Sequence, residues 1–137
     1  MVGWELLEHT ADVGLRVWAD DLDALFAEAA RAIVAMMGTA SGPVTKHERV
    51  SLDAPDAEAL LVDWLSEILF LFEARGLVPR DVEITVSRDP WRLEAGIAGQ
   101  DAETLVQEGS QVKAVTYHGL ELRLGPQRCE AVVYLDV

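Results

Sequence analysis

The chain has 137 residues, and half of them are hydrophobic, which is enough for one domain with its own core. Its 24 acidic residues outnumber 11 basic residues, and the formal net charge is -13. Because nucleic acids are held largely by clustered Lys and Arg, this balance argues against direct binding to a phosphate backbone. We expect cations or a basic surface on another protein as partners, with any RNA held by that protein.

The cysteine count and the lengths of the apolar runs exclude further classes of protein. Cys129 is the single cysteine, so an internal disulfide and a Cys-rich zinc cluster are excluded. Its position in a strand-like run predicts a buried packing role. No apolar run approaches the ~20 residues of a membrane span, and residues 1–5 lack the features of a signal peptide. We therefore expect one cytoplasmic domain over residues 1–137, without membrane association.

The first strand signal begins at Val13, near the end of a polar, acid-bearing segment that covers residues 8–14. Val13, Leu15 and Val17 recur with the period of two that is typical of a half-buried strand. Short polar side chains at the mouth of a strand contribute little to packing. A turn, a cap or a functional site must therefore explain the segment that precedes Val13.

Helical spacing of apolar residues then predicts a first helix that begins after Asp20 or Asp21 and ends at Gly38. Either aspartate can accept hydrogen bonds from the free N–H groups of the first turn, and glycine is a common helix terminator. The apolar positions form a single face: Leu22, Leu25, Phe26, Ala29, Ala30, Ile33, Val34 and Met37.

A second helix is predicted from about residue 56 to residue 75, with Pro55 near its start and Gly76 just after its end. Trp64 lies on its apolar face, so we assign this side chain to packing rather than to binding. A weaker strand is predicted between the helices, at residues 48–52. The apolar positions of the helix are Leu60, Leu61, Trp64, Leu65, Ile68, Leu69 and Phe72.

The rest of the chain alternates with a period of two and predicts four further strands separated by two turns. The turns are Arg88-Asp89-Pro90 and Gly125-Pro126-Gln127-Arg128. Because strands follow one another late in the chain without intervening helices, we predict an α+β domain rather than a parallel, doubly wound sheet. The expected architecture is a two-layer sandwich, with both helices on one face of a mainly antiparallel sheet.

Two aspartates at opposite ends of the chain suggest a cation site. If the first and last strands meet, Asp12, Asp136 and the terminal carboxylate of Val137 lie together, which is unfavourable unless a proton or cation neutralises them. Ligation by oxygen alone suits Ca²⁺ or Mg²⁺. The alternative is that Asp12 caps a turn and Asp136 is solvated at a fraying end. The residue pattern alone favours this structural alternative.

Other chemistry-bearing residues give weaker signals. The three histidines are too scattered to define a zinc site, and His9 is equally well explained by a polar network with Asp12 or by a structural turn. No serine sits in a nucleophile elbow, and no glycine-rich phosphate loop is present. Lys113 is the one cation in an apolar run, where it either lies on an exposed strand face or contacts an acidic group of a partner.

Four segments in order resemble the archease family of small proteins that assist RtcB-type RNA ligases. The resemblance covers residues 4–137. The segments are His9-Thr10-Ala11-Asp12-Val13-Gly14, Leu60-Leu61-Val62-Asp63-Trp64-Leu65-Ser66-Glu67-Ile68-Leu69, Val112-Lys113-Ala114-Val115-Thr116-Tyr117-His118 and Leu135-Asp136-Val137.

The resemblance implies a compact strand-helix-strand-strand-like fold and a divalent metal site, with Asp12, Asp136 and Val137 as ligands. It also implies that the protein performs no ligation itself but promotes guanylylation and repeated turnover of the ligase in tRNA splicing and RNA repair. His9 and Lys113 are then candidates for contact with the ligase, and RNA is reached only through it.

The chain departs from the family pattern at Gln100, at Ser66 and in residues 101–111, which contain no histidine. Two other functions stay open on sequence grounds. One is a general chaperone or scaffold for an RNA-modification enzyme such as a methyltransferase. The other is a metal-dependent phosphoester hydrolase, for which no general base is apparent.

Overall fold

The computed structural model describes residues 1–8, 12–108 and 111–137. Two α-helices and nine strands are assigned in these ranges, together with one short 3₁₀ turn at Ala102–Thr104. The elements in chain order are β1 Gly3–Glu8, β2 Val13–Ala19, α1 Leu22–Met37, β3 Gly38–Thr39, β4 Lys46–Ala54, α2 Ala57–Arg75, β5 Leu77–Ser87, β6 Trp91–Asp101, β7 Val106–Gln107, β8 Ala114–Leu124 and β9 Cys129–Asp136.

The strands form antiparallel sheets, and the two helices pack against them, so the predicted α+β class is confirmed. The described strands are divided among three sheets rather than joined in one. Their orders are β1-β2-β9-β8, β3-β7 and β4-β6-β5. Alternation along a sequence reports which face of a strand is buried but not which strands pair, and this explains why the division was not foreseen.

Helix α1 begins and ends as predicted. Asp21 is its N-cap and accepts a hydrogen bond from the Ala24 N–H at 2.8 Å, and Gly38 follows its last residue. Burial extends beyond the predicted single face, because Ala27, Ala32 and Met36 are also buried. The physical reason is that α1 contacts both β2 of the four-stranded sheet and β5 of the three-stranded sheet.

Helix α2 begins after Asp56, whose carboxylate accepts from the Ala59 N–H at 2.7 Å, and ends at Gly76 in the left-handed conformation (φ 60°). Trp64 is fully buried, as predicted, and its indole N–H donates to the Phe26 carbonyl of α1 at 2.9 Å. This bond links the two helices. Of the helices in the described ranges, none combines the length and the apolar content needed to cross a bilayer.

Several strands differ from the prediction in extent. The edge strand β1 was not predicted because the adjacent Leu6 and Leu7 interrupt the alternation. The short β3 and β7 carry no periodic signal at two residues each. The predicted hairpin turn after β8 is confirmed, with the Gly125 N–H donating to the Arg128 carbonyl at 3.0 Å.

Arg16 ties together three strands on the outward face of the four-stranded sheet. Its guanidinium on β2 hydrogen-bonds Glu130 on β9 and, at 2.8 Å, Glu5 on β1. It also lies over the Trp18 ring, 5.6 Å from the ring centroid. The hydrogen bond from Arg16 lowers the pKa of Glu130, and the two carboxylates raise the pKa of Arg16. The network therefore supports the β1-β2-β9 order.

We expect Trp64→Phe to lower the free energy of unfolding by about 2 kcal/mol, because it removes the bond to Phe26 and leaves unfilled space in the core. Urea unfolding measures the change. Trp91→Phe is the matched control, since Trp91 is only partly buried at the end of a hairpin. Equal losses in the two variants would contradict the assigned role of Trp64.

Glu130→Gln tests the Arg16 network through its pH dependence. Because the pKa of Glu130 is lowered from 4.5 in the folded protein, its stabilising contribution is present above pH 4.5 and disappears as the pH falls through the lowered value. We expect the variant to be less stable than wild type by about 0.5 kcal/mol at pH 7, with the difference closing in acid. Urea unfolding of both proteins at pH 7 and in acid measures the difference in stability. A difference that does not change with pH would refute the assigned role of Glu130.

Candidate metal site

Three of the four sequence motifs meet at one end of the four-stranded sheet. Strand β2 pairs with β9, with Val13 opposite Leu135, and β9 pairs with β8, with Ala114 opposite Asp136. The condition stated for the cation site, that the first predicted strand meets the last one, is therefore met. The beginning of β2, the end of β9 and the beginning of β8 lie side by side.

The register brings Asp12 and Asp136 towards each other. Asp12 immediately precedes the Val13–Leu135 pair, so continuing the register by one residue sets it opposite Asp136. Directly opposite residues of an antiparallel pair project from the same face, with Cα atoms about 5 Å apart. Along β9 the odd-numbered residues are buried and Asp136 is exposed, so a register continued beyond Val13 would put Asp12 on the same outward face as Asp136.

Val137 is held at the strand end by its side chain and by its neighbours. The side chain is partly buried and packs against the main core. The Lys113 N–H donates to the Asp136 carbonyl at 2.7 Å, which continues the β8-β9 ladder beyond its last assigned pair. The terminal carboxylate thus leaves an anchored residue directly beside Asp136.

The donor chemistry fits a hard cation. Within residues 1–8, 12–108 and 111–137, the carboxylates of Asp12 and Asp136 make no hydrogen bond or ion pair with protein groups. Two side-chain carboxylates and a terminal carboxylate supply oxygen only, as Ca²⁺ and Mg²⁺ prefer. No cluster of three metal-ligating side chains is found in these ranges, so water or partner groups would complete the coordination. His9 lies outside the described residues.

An aromatic side chain occupies the space next to the two aspartates. Tyr134 lies opposite Gly14 on β2 and Thr116 on β8. A Cβ atom at Gly14 would approach the Tyr134 ring to 3.0 Å, and one at Gly119 (φ 69°) would approach it to 2.6 Å. Two glycines therefore make room for the ring. The sequence did not predict that these glycines accommodate an aromatic ring, although Gly14 ends the first motif and Gly119 directly follows the third.

The other residues that the sequence singled out lie partly on the surface and partly in the core. Lys113 is exposed, and its ammonium forms no ion pair within the described parts of the chain. The helix motif serves the core, since Leu60, Leu61 and Trp64 are fully buried. Cys129 is also buried, as predicted, and burial raises the pKa of its thiol.

Comparisons with a family model and with curated relatives agree with each other. The chain matches the model of the Archease protein family (MTH1598/TM1083) over residues 4–137. Protein archease of Methanosarcina acetivorans is 36% identical over 142 residues, covering 98% of this chain and 95% of that protein. Protein archease of Methanopyrus kandleri is 34% identical, covering 98% of this chain and 99% of that protein.

Solved structures give the same result for the fold. The solution structure of Methanobacterium thermoautotrophicum protein 1598 aligns with a TM-score of 0.83 at 30% identity, over 98% of this chain and 99% of that one. The crystal structure of a Thermotoga maritima archease, described as a possible chaperone, aligns with a TM-score of 0.68 at 20% identity, over 96% and 94% of the two chains. This chain therefore belongs to the archease family.

Proposed function

We propose that this protein is a cytoplasmic, non-catalytic activator of an RtcB-type RNA ligase, and that it promotes guanylylation and repeated turnover of the ligase through a divalent cation. The observation that carries the proposal is the convergence of Asp12, Asp136 and the Val137 terminus at one end of the sheet. RNA contacts this protein only through the ligase, in keeping with the net charge of -13.

The role that we propose for each residue of the site follows from the chemical groups that it carries. Asp12, Asp136 and the terminal carboxylate hold the cation, which would supply positive charge for binding nucleotide phosphates and ligase oxygen groups. The β2-β9 register and the packing of Val137 orient these oxygens before the partner arrives. Membership of the archease family, in which the Thermotoga maritima protein is described as a possible chaperone, supports an accessory role.

The position of Lys113 supports contact with the ligase on the same side of the protein. Its backbone N–H is fixed by the bond to Asp136, and its ammonium is exposed and unpaired in the described ranges. We assign Lys113 to contact with an acidic group of the ligase next to the cation. His9, which lies outside the described residues, stays a candidate for contact with the ligase because it belongs to the same sequence motif as Asp12.

Asp12→Asn tests the role of the cation site. We expect it to reduce stimulation of ligase guanylylation at least about tenfold, because an amide oxygen replaces an anionic ligand at nearly constant volume. The assay follows covalent guanylylation of the ligase with GTP and the number of RNA joining cycles. The control is Glu121→Gln, which neutralises an exposed carboxylate on β8 of the same sheet. Stimulation equal to wild type would remove Asp12 from the mechanism.

A C-terminal extension tests the role of Val137. Adding two residues after Val137 converts its carboxylate into an amide, so we expect the affinity for Ca²⁺ or Mg²⁺ to fall about tenfold. Calorimetric titration with each ion measures the affinity. The same two residues added before Met1 provide the control. Unchanged affinity in the C-terminal variant would mean that only internal oxygens bind the ion.

A further inference from the structure

A second charged surface lies on the three-stranded sheet, apart from the candidate metal site. On its outward face, Gly96 of the central strand β6 is flanked by Arg49 on β4 and Glu83 on β5. The next row towards the other end has Ala98 in the centre, flanked by His47 and Asp81. Each row therefore runs from a basic residue through a small residue to an acidic residue.

The small central residues leave a groove of about 400 Å³ along β6. An added Cβ at Gly96 would touch only the Arg49 Nη1 atom, at 3.7 Å, which is ordinary van der Waals contact. Close packing within the chain therefore does not require glycine here. At this position the floor of the groove is backbone, and the end of the Arg49 side chain lies over it.

The side chains of His47, Arg49, Asp81 and Glu83 are exposed, and within the described residues none of them makes a hydrogen bond or ion pair. Glu48, which also lines the groove, is already paired with Arg75. This differs from the outward face of the other sheet, where Arg16 is satisfied by Glu5 and Glu130. Each wall of the groove can therefore accept a surface of opposite charge without breaking an existing ion pair.

We propose that this face binds a second copy of the chain, related by a two-fold axis parallel to β6. Such an axis turns the sheet over, so that β4 of one copy lies over β5 of the other while each row keeps its position along the strands. Arg49 then faces Glu83 of the second copy, and His47 faces Asp81. By symmetry each contact occurs twice, and the acidic and basic walls complement each other throughout.

An axis perpendicular to β6 gives the opposite result. It would lay β4 over β4 and bring the two basic walls together. The charge pattern thus selects one orientation of the second copy. Small residues at positions 96 and 98 allow the two central strands to approach closely enough for the flanking side chains to meet.

The far end of the same face is compatible with this arrangement. Arg92 and Glu94 lie on β6 there, and their side chains are paired with each other at 2.8 Å. The Ser51 hydroxyl also donates to Glu94 at 3.0 Å. Under the proposed axis Arg92 and Glu94 face their own counterparts, and the pairing of Arg92 with Glu94 and Asp53 limits the repulsion between like charges at this end.

The dimer should be weak and reversible. The contact is polar and is formed by the outward face of a single three-stranded sheet. Each copy also carries a net charge of -13, although this long-range repulsion is screened beyond about 8 Å at physiological salt. The candidate metal site lies on the other sheet, so it stays accessible in the dimer.

Sedimentation equilibrium over a range of concentrations tests the proposal. Wild type should approach twice the 15.0 kDa of the monomer as the concentration rises. Arg49→Glu and Glu83→Arg should each weaken association about tenfold or more, because each substitution brings two pairs of like charges into contact. Arg31→Glu is the matched control on the exposed side of α1 and should associate as wild type does.

A mixture of the Arg49→Glu and Glu83→Arg proteins tests the proposed contact between positions 49 and 83 most directly. In the mixed dimer, the acid introduced at position 49 faces the base introduced at position 83, and the native Arg49 faces the native Glu83. The mixture and the double variant R49E/E83R should therefore associate within about threefold of wild type. Thermal unfolding by circular dichroism verifies that every variant is folded.

Two results would overturn the proposal. One is a 15.0 kDa mass for wild type at every soluble concentration. The other is a mixture that associates no better than the single variants. An Asp12→Asn protein should dimerise normally, so loss of ligase activation and loss of dimerisation report on different surfaces.

Discussion

The antiparallel pairing of β2 with β9 is the constraint on which the rest of the structure depends. It joins the beginning of the chain to its end, and its register sets Asp12 towards Asp136. On its inner face the same pair buries Leu15, Val17 and Val133 completely. Because a slip of one residue would exchange these faces, the hydrophobic core fixes the alignment of the acidic residues. The energy that folds the domain therefore also assembles the candidate site.

Glycine shapes the two outward faces in different ways. Next to the aspartates, Gly14 and Gly119 are covered by the Tyr134 ring, so the space that they leave is filled from within the chain. On the other sheet, a Cβ atom at Gly96 would contact only the end of the exposed Arg49 side chain, at 3.7 Å. The first arrangement stiffens the surroundings of the candidate metal site. The second leaves a surface that a neighbouring molecule can complete.

The sequence predicted the elements with strong local signals. Asp21 and Gly38 were identified as the limits of α1, and Gly76 as the end of α2, because caps and terminators act within a few residues. The predicted proximity of Asp12 and Asp136 depended on whether the first and last strands meet. It could be stated as a condition, but only the observed register showed that the condition is met.

Other features depend on contacts between distant residues and could not be read from local patterns. Gln100, which departs from the family pattern, is fully buried and bridges the Gly42 N–H and the Thr104 hydroxyl. Nothing in its neighbourhood along the sequence indicates these partners. The division of the strands into separate sheets has the same origin, since β4 and β5 flank β6 through pairings that their alternation does not specify.

These strand pairings determine which acidic side chains lie next to a basic group and which do not. Around Arg16, carboxylates of β1 and β9 are neutralised by one guanidinium, and they stabilise the sheet. At the end of the same sheet, Asp12 and Asp136 have no protein cation in the described residues. In the proposed site, repulsion between the carboxylates would be relieved by a bound cation, so their proximity would favour cation binding. A divalent ion and a basic group of the proposed partner would then act on the same carboxylates, and the binding of one would be linked to the binding of the other.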